Sequence, residues 1–213
     1  YIYLKIVKKT KKAHNLLHFL LICCIYTTIF GEVMFNFKKY KEIQDFISNH
    51  GKIARIVAVS KNHSKKSVIE ALEHGVRIFG ENRVQEAKKK FDELFTQYSN
   101  LELHFTGSLQ TNKVKSALEI FQVFQTLDRE RLANEFQKFP NLTKDKKFFI
   151  QVNTGKESSK SGVMPKETKD FIRYCANEIK LNIVGLMCIP PMEESPKLHF
   201  TLLKKIAIEN NIN

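Results

Sequence analysis

The sequence predicts an α/β fold, a parallel (β/α)8 TIM barrel of which about six βα units are present. Three observations predict it. From residue 53 onward, six short apolar, β-branched runs alternate with longer segments of helical period. Each run ends in or near a polar or small residue: Lys61, Asn82, Gly107, Asp128, Asn153 and, near the last, Cys188. In a βα barrel such ends converge on one face, where the chemistry sits, whereas an open sheet spreads them along an edge. No Gly-x-Gly-x-x-Gly follows the first run, so the dinucleotide-binding version of an open sheet loses support.

The strands are expected at 55–61 (RIVAVSK), 77–82 (RIFGEN), 103–107 (LHFTG), 124–128 (FQTLD), 147–153 (KFFIQVN) and 183–189 (IVGLMCI). They are too uniformly apolar for half-exposed strands and suit a sheet covered on both faces. An amphipathic opening helix is expected over 35–47. Ser64 can cap a helix over 65–74, with Gly75 as its stop. Further helices are expected at 83–97, 112–121, 129–139, 165–179 (with Pro at its start) and 197–210. Six units are two short of eight, so the sheet is expected to leave two strand edges open, which predicts poor stability of the isolated chain.

Residues 1–33 read differently. They carry five lysines (Lys5, Lys8, Lys9, Lys11, Lys12) and then an apolar run from Leu16 to Phe30, interrupted by His18. The run is short for a spanning helix. Met34 is the first methionine. The preferred reading makes 1–33 upstream sequence translated in frame and 34–213 the domain, incomplete at its C-terminal end. A signal- or anchor-like segment is the alternative.

The net charge of +13 raises the question of nucleic acid, but the lysines are dispersed along all 213 residues, without arginine runs or aromatic-basic interleaving. A lysine-rich surface is expected, with no nucleic acid or membrane partner for the domain. The four cysteines, Cys23, Cys24, Cys175 and Cys188, lack zinc or disulfide spacing and fit reduced thiols in the cytoplasm. No metal site is expected.

Lys61 carries the chemical reading. It ends an apolar strand, where a lysine either snorkels to solvent or serves as an amine that condenses with an aldehyde. The surrounding motifs are FGENRVQE (79–86), HFTGSLQTNK (104–113), QVNTGKESSKSG (151–162) and GLMCIP (185–190). In order and in register, they resemble the YggS-like family of pyridoxal phosphate homeostasis proteins, whose barrel is similar to the N-terminal domain of alanine racemases. Thr106 and Ser108 stand where that family commonly has Ile and Pro, and Asn62-His63 where it commonly has Thr-Lys.

The resemblance implies pyridoxal 5′-phosphate (PLP) as cofactor, held on Lys61 as a Schiff base. Asn82 would lie beside the cofactor ring, and His104, Asn153 and Met187 would help form the pocket. It implies a monomeric carrier that exchanges PLP with recipient enzymes, and possible contact with free amino acids, rather than an enzyme with its own catalytic residues. The family's phosphate-binding segments, Ser-Met-Gly-Met-Ser and Arg-Ile-Gly, do not occur in the sequence. Other readings of the residues stay open: His104 as a satisfied core histidine, Asn82 as a helix cap and Asn153 as a turn residue. Gln110, Asn112 and Lys113 read as helix-start residues. A PLP-dependent racemase is the second hypothesis; it needs a second base, and Tyr98 and Tyr174 fall in helical or loop segments. A basic nucleic-acid- or membrane-associated module is the third.

Overall fold

The computed structural model describes residues 2–7, 18–23, 26–29, 32–50 and 54–212, with side chains described from Met34 onward. All six expected strands form: β5 (Ala54–Val59), β6 (Ile78–Glu81), β7 (Glu102–Phe105), β8 (Val123–Leu127), β9 (Lys147–Gln151) and β10 (Ile183–Met187). They lie side by side in sequence order and pair in parallel.

The open edges expected from six units are not present. Strands β1 (Ile2–Val7) and β2 (His18–Cys23) close the sheet, with β2 parallel to β5 and β1 antiparallel to both β2 and β10. Both belong to the segment that the sequence reading set outside the domain. Their pairing satisfies the outward backbone groups of β5 and β10, which no local pattern foretells. A hairpin of β3 (Tyr26–Ile29) and β4 (Glu32–Phe35) follows before the first helix.

The helical layer runs α1 (Phe37–Asn49), α2 (Lys65–Glu73), α3 (Val84–Phe91), α4 (Leu94–Gln97), α5 (Val114–Ile120), α6 (Glu130–Gln137), α7 (Pro140–Thr143), α8 (Thr168–Arg173) and α9 (Pro196–Glu209). The helix expected over 83–97 is broken at residues 92–93, and a 3-10 turn at Thr111–Lys113 precedes α5. A π-helical turn, Tyr174–Glu178, extends α8. Among the described residues no helix is long and apolar enough to cross a membrane.

The main core lies between sheet and helices and is built on aromatic rings. Phe124 stacks on Phe148 at 5.3 Å, and Phe136 of α6 meets both edge-on at 4.9 Å. Cys175 and Cys188 are free and buried here, and burial pushes both thiols up to about 12, which keeps them protonated and unreactive.

Local signals explain the ends of α2. Ser64 Oγ accepts the Ser67 N–H at 3.2 Å, as its position before the helix predicts. At the other end Gly75 takes φ +85°, and the bonds Val76 N–H to Ala71 O and Gly75 N–H to Leu72 O form a Schellman motif. Nothing lies near a Cβ added at Gly75. Gly75→Ala therefore isolates the left-handed backbone penalty, and a loss of about 1 kcal/mol is expected in denaturant unfolding.

Candidate functional site

Successive residues of a strand point to opposite faces, so a few contacts decide which residues face the barrel interior. A Cβ added to Gly80 would lie 3.2 Å from Val57 and Thr106 and 3.4 Å from Val59. Val123, Phe149 and Met187 pack together in a second apolar cluster, apart from the main core. Ile56, Ala58, Phe79, Phe105, Phe124, Phe148 and Leu186 belong instead to the core under the helices. Val57, Val59 and Gly80 thus take one face and Ile56, Ala58 and Phe79 the other, and Lys61 and Asn82 follow past the ends of β5 and β6.

Register sorts these residues by depth. Val59 pairs with Gly80 and Gly80 with His104, which makes one row. Two residues further along each chain, at the C-terminal end of the strands, stand Lys61, Asn82 and Thr106. His104 lies within β7, below the strand ends that Lys61 and Asn82 follow, and Thr106, which sequence reasoning noted only as a departure, lies against Gly80.

The expected site residues fall into two groups. Lys61 is exposed, in the turn after β5. Asn82 is half-buried and its Oδ1 is shielded from solvent without a hydrogen-bond partner. It does not cap α3, whose N-cap position is Arg83. Asn82 is also pressed against the next strand's end: a Cβ on Gly107 would meet Asn82 O at 2.4 Å.

The remaining three have structural partners. His104 is buried, with Nε2 2.7 Å from Glu102 Oε1 and Nδ1 against the Gln125 side-chain amide. Met187 fills the interior beside Val123 and Phe149. The Asn153 side chain staples the loop after β9: its Nδ2 donates to Glu157 O at 2.7 Å and Lys160 O at 3.3 Å, and its Oδ1 accepts the Glu157 N–H at 3.2 Å.

Glu102 is the electrostatic centre beneath the site. Burial raises a carboxyl's pKa, but here the hydrogen bond and charge of His104, with Arg55 and Lys147, outweigh it and hold Glu102 at about 2. A depressed folded-state pKa contributes stability that is complete above the ordinary value of 4.5 and is lost as pH falls towards 2. The stability gap between wild type and Glu102→Gln is thus expected to narrow as pH falls through that window in urea titrations. A gap that stays constant with pH would contradict it.

A cavity of about 1100 Å³ opens at the mouth, lined among others by Thr106, Gly107, Thr126, Gln151 and Asn153. Lys61 and Asn82 do not line it, although Asn82 lies against Gly107, which does. Thr126 Oγ donates to Gly107 O, and Gln151 Nε2 to Ser161 O at 3.1 Å, so the cavity's polar lining is held to the strand ends. The sequence reading missed Thr106, Gln125, Thr126 and Gln151. Counting by twos from Asn153 reaches Gln151, and from His104 reaches Thr106. Gln125 and Thr126 sit at a register shift between Phe124 and Leu127, where such counting fails.

Residues 38–209 match the profile of the family described as "Alanine racemase, N-terminal domain". The chain belongs to that family. Among its relatives are pyridoxal phosphate homeostasis proteins of Aquifex aeolicus, 38% identical over 147 residues (68% of this chain, 63% of the relative), and Pasteurella multocida, 38% identical over 137 residues (64% and 59%). The chain thus spans about three fifths of the length of these relatives. Among solved structures, PipY of Synechococcus elongatus PCC7942 without PLP is similar at a TM-score of 0.69 and 29% identity, covering 79% of this chain and 81% of PipY. PipY with PLP bound gives 0.63 and 27%, covering 79% and 83%. The alanine racemase of E. faecalis, at 15% identity and a TM-score of 0.55, shares the fold alone; the match covers 70% of this chain and 43% of that one. The alanine racemase N-terminal fold expected from the motifs is therefore the fold of this chain.

Proposed function

We propose that this chain binds PLP as a Schiff base on Lys61 and serves homeostasis of that cofactor in the cytoplasm. On this reading residues 34–213 supply the cofactor-binding site, with β1 and β2 closing the sheet, and the protein acts as a monomer that releases PLP or passes it to recipient enzymes without turnover of its own. The relatives' names and the PLP-bound PipY structure support the choice of cofactor.

What supports the reading is an exposed lysine in the turn after β5, together with an asparagine just past the end of the neighbouring strand β6 whose buried Oδ1 is unpartnered. A buried polar atom without a partner is costly, and a polar ligand relieves that cost. The residues fit PLP in this respect: Lys61 supplies the attaching amine, Asn82 a polar edge for the ring, and Gly107 the clearance that brings Asn82 close. PLP, when bound, supplies the aldehyde and an electron sink. On this reading His104 and Met187, each already held by its own neighbours, line the barrel below the attachment point, and Asn153 shapes the rim. Exposure of Lys61 leaves the attachment point open to an incoming amine from a recipient.

Turnover as a racemase needs proton acceptors on both faces of a substrate. Tyr174 Oη instead bonds Asn134 in the helical layer, and the Tyr98 ring lies 5.7 Å from the Arg77 guanidinium. Both tyrosines are engaged away from the mouth. The proposal is tested by incubating the protein with PLP, reducing with borohydride and mapping the adduct by mass. The pyridoxyl tag is expected on Lys61; a tag confined to other lysines sinks the reading.

A further inference from the structure

Lys61 is exposed in the turn after β5, and the residues on either side of it are gripped by the next βα unit. Ser60, Glu81 and Lys90 are all buried. Lys90 Nζ lies 2.7 Å from Glu81 Oε1 and 2.8 Å from Glu86 Oε1, one ammonium between two carboxylates. The same Nζ donates to the backbone carbonyl of Ser60 at 2.7 Å, and Ser60 Oγ donates to Glu81 Oε1 at 2.6 Å. On the other side of the lysine, the Asn62 N–H donates to Glu86 Oε1 at 2.7 Å. Asn62 has φ +63°, a left-handed conformation that asparagine adopts at lower cost than most residues.

We infer that Glu81, Glu86 and Lys90 are positioning residues that mount the Lys61 turn. Ser60 and Asn62 are each tied to this triad, so Lys61 is the single residue between two clamped neighbours. Both side-chain ties end in one charge cluster on β6 and α3, which fixes the turn relative to Asn82, the residue directly after Glu81. The charges are used at the backbone of the turn, not at the ligand. A buried ion pair adds little net stability over an apolar pair of similar size, because desolvation offsets the attraction. Geometry is the better account of what this one does, since charge-assisted bonds to a backbone carbonyl and amide set direction as well as energy. Burial pushes the Glu81 carboxyl up against the pull of Lys90 and Ser60, which marks how enclosed the cluster is.

The inference rests on Lys61 as the PLP-attaching amine. The experiment compares wild type, the double variant Glu81→Gln/Lys90→Met and the single variant Glu86→Gln. Removing both members of the buried pair avoids stranding one charge, and Glu86 is only half-buried. Fold is followed by near-UV circular dichroism. Two rates are read at Lys61 by mass mapping: PLP attachment trapped with borohydride, and acetylation by acetic anhydride, which needs exposure but no pocket geometry. PLP attachment is expected to slow about tenfold or more in the double variant and several-fold in Glu86→Gln, given how steeply capture depends on the placement of reacting groups. Acetylation is expected to stay at the wild-type rate. If wild type is tagged at Lys61 and the folded variants are tagged as fast, the mounting role is overturned while the cofactor reading stands. A parallel fall in acetylation also overturns it, by showing loss of exposure. If the double variant does not fold, Glu86→Gln decides alone. If wild type itself takes no tag at Lys61, both readings fall together.

Discussion

Lys61→Ala is expected to abolish borohydride-trappable PLP attachment and to leave folding stability within about 0.5 kcal/mol of wild type, the range for surface substitutions. Lys61 is exposed, lies past the end of β5 and makes no hydrogen bond or ion pair among the described residues. The contacts of that turn belong to Ser60 and Asn62, through backbone groups that alanine at 61 keeps. That pairing of outcomes, no loss of fold and complete loss of attachment, is what the proposed role of Lys61 requires. The measurement pairs PLP titration by absorbance with urea unfolding. Retained specific attachment in Lys61→Ala would falsify the assignment, and a large drop in stability would mean that the side chain has a structural duty instead.

Gly107→Ala is expected to be strongly damaging, and more so than Gly80→Ala. The added carbon would meet Asn82 backbone O at 2.4 Å and Cα at 2.8 Å, and its Cβ at 2.7 Å. These are chain atoms of a strand end, so the two strands must part locally, at about 1–3 kcal/mol for overpacking of this kind. Asn82 moves with them, and PLP affinity is expected to fall along with stability. Gly80→Ala meets only side-chain methyls at 3.2–3.4 Å and should be milder. Thermal unfolding of the two variants side by side checks the order; equal midpoints would show that the mouth has more slack than its geometry implies.

Much of the barrel was legible in the sequence, because strands buried on both faces must be apolar runs and the helices between them must be amphipathic. All six runs became strands, and Ser64 and Gly75 bound α2 as their chemistry dictates. What local pattern does not encode is pairing at a distance. β1 and β2 close the sheet against β10 and β5, although 1–33 reads in isolation as a basic stretch and an apolar run. The site was legible in part. Lys61 and Asn82 lie past the ends of β5 and β6, whereas His104 lies within β7, bonded to Glu102 and Gln125. Alternation tells which face a residue takes, not its depth, and depth separated these residues. Asn153 behaves as the turn residue its type allowed, with every side-chain bond spent on the loop from Glu157 to Lys160.

Ser60 anchors its hydroxyl on Glu81 in the outer layer, and on the proposed reading its neighbour Lys61 turns the opposite way, amine inward. Their division of labour depends on a phase set back at Val57. One residue added or lost between Val57 and Ser60 would exchange their destinations, burying the ammonium among the helices and leaving a serine in the lumen. Length in this short stretch is thus under as tight a constraint as identity, so chain-length variation in this barrel belongs in its loops and not in its first parallel βα strand.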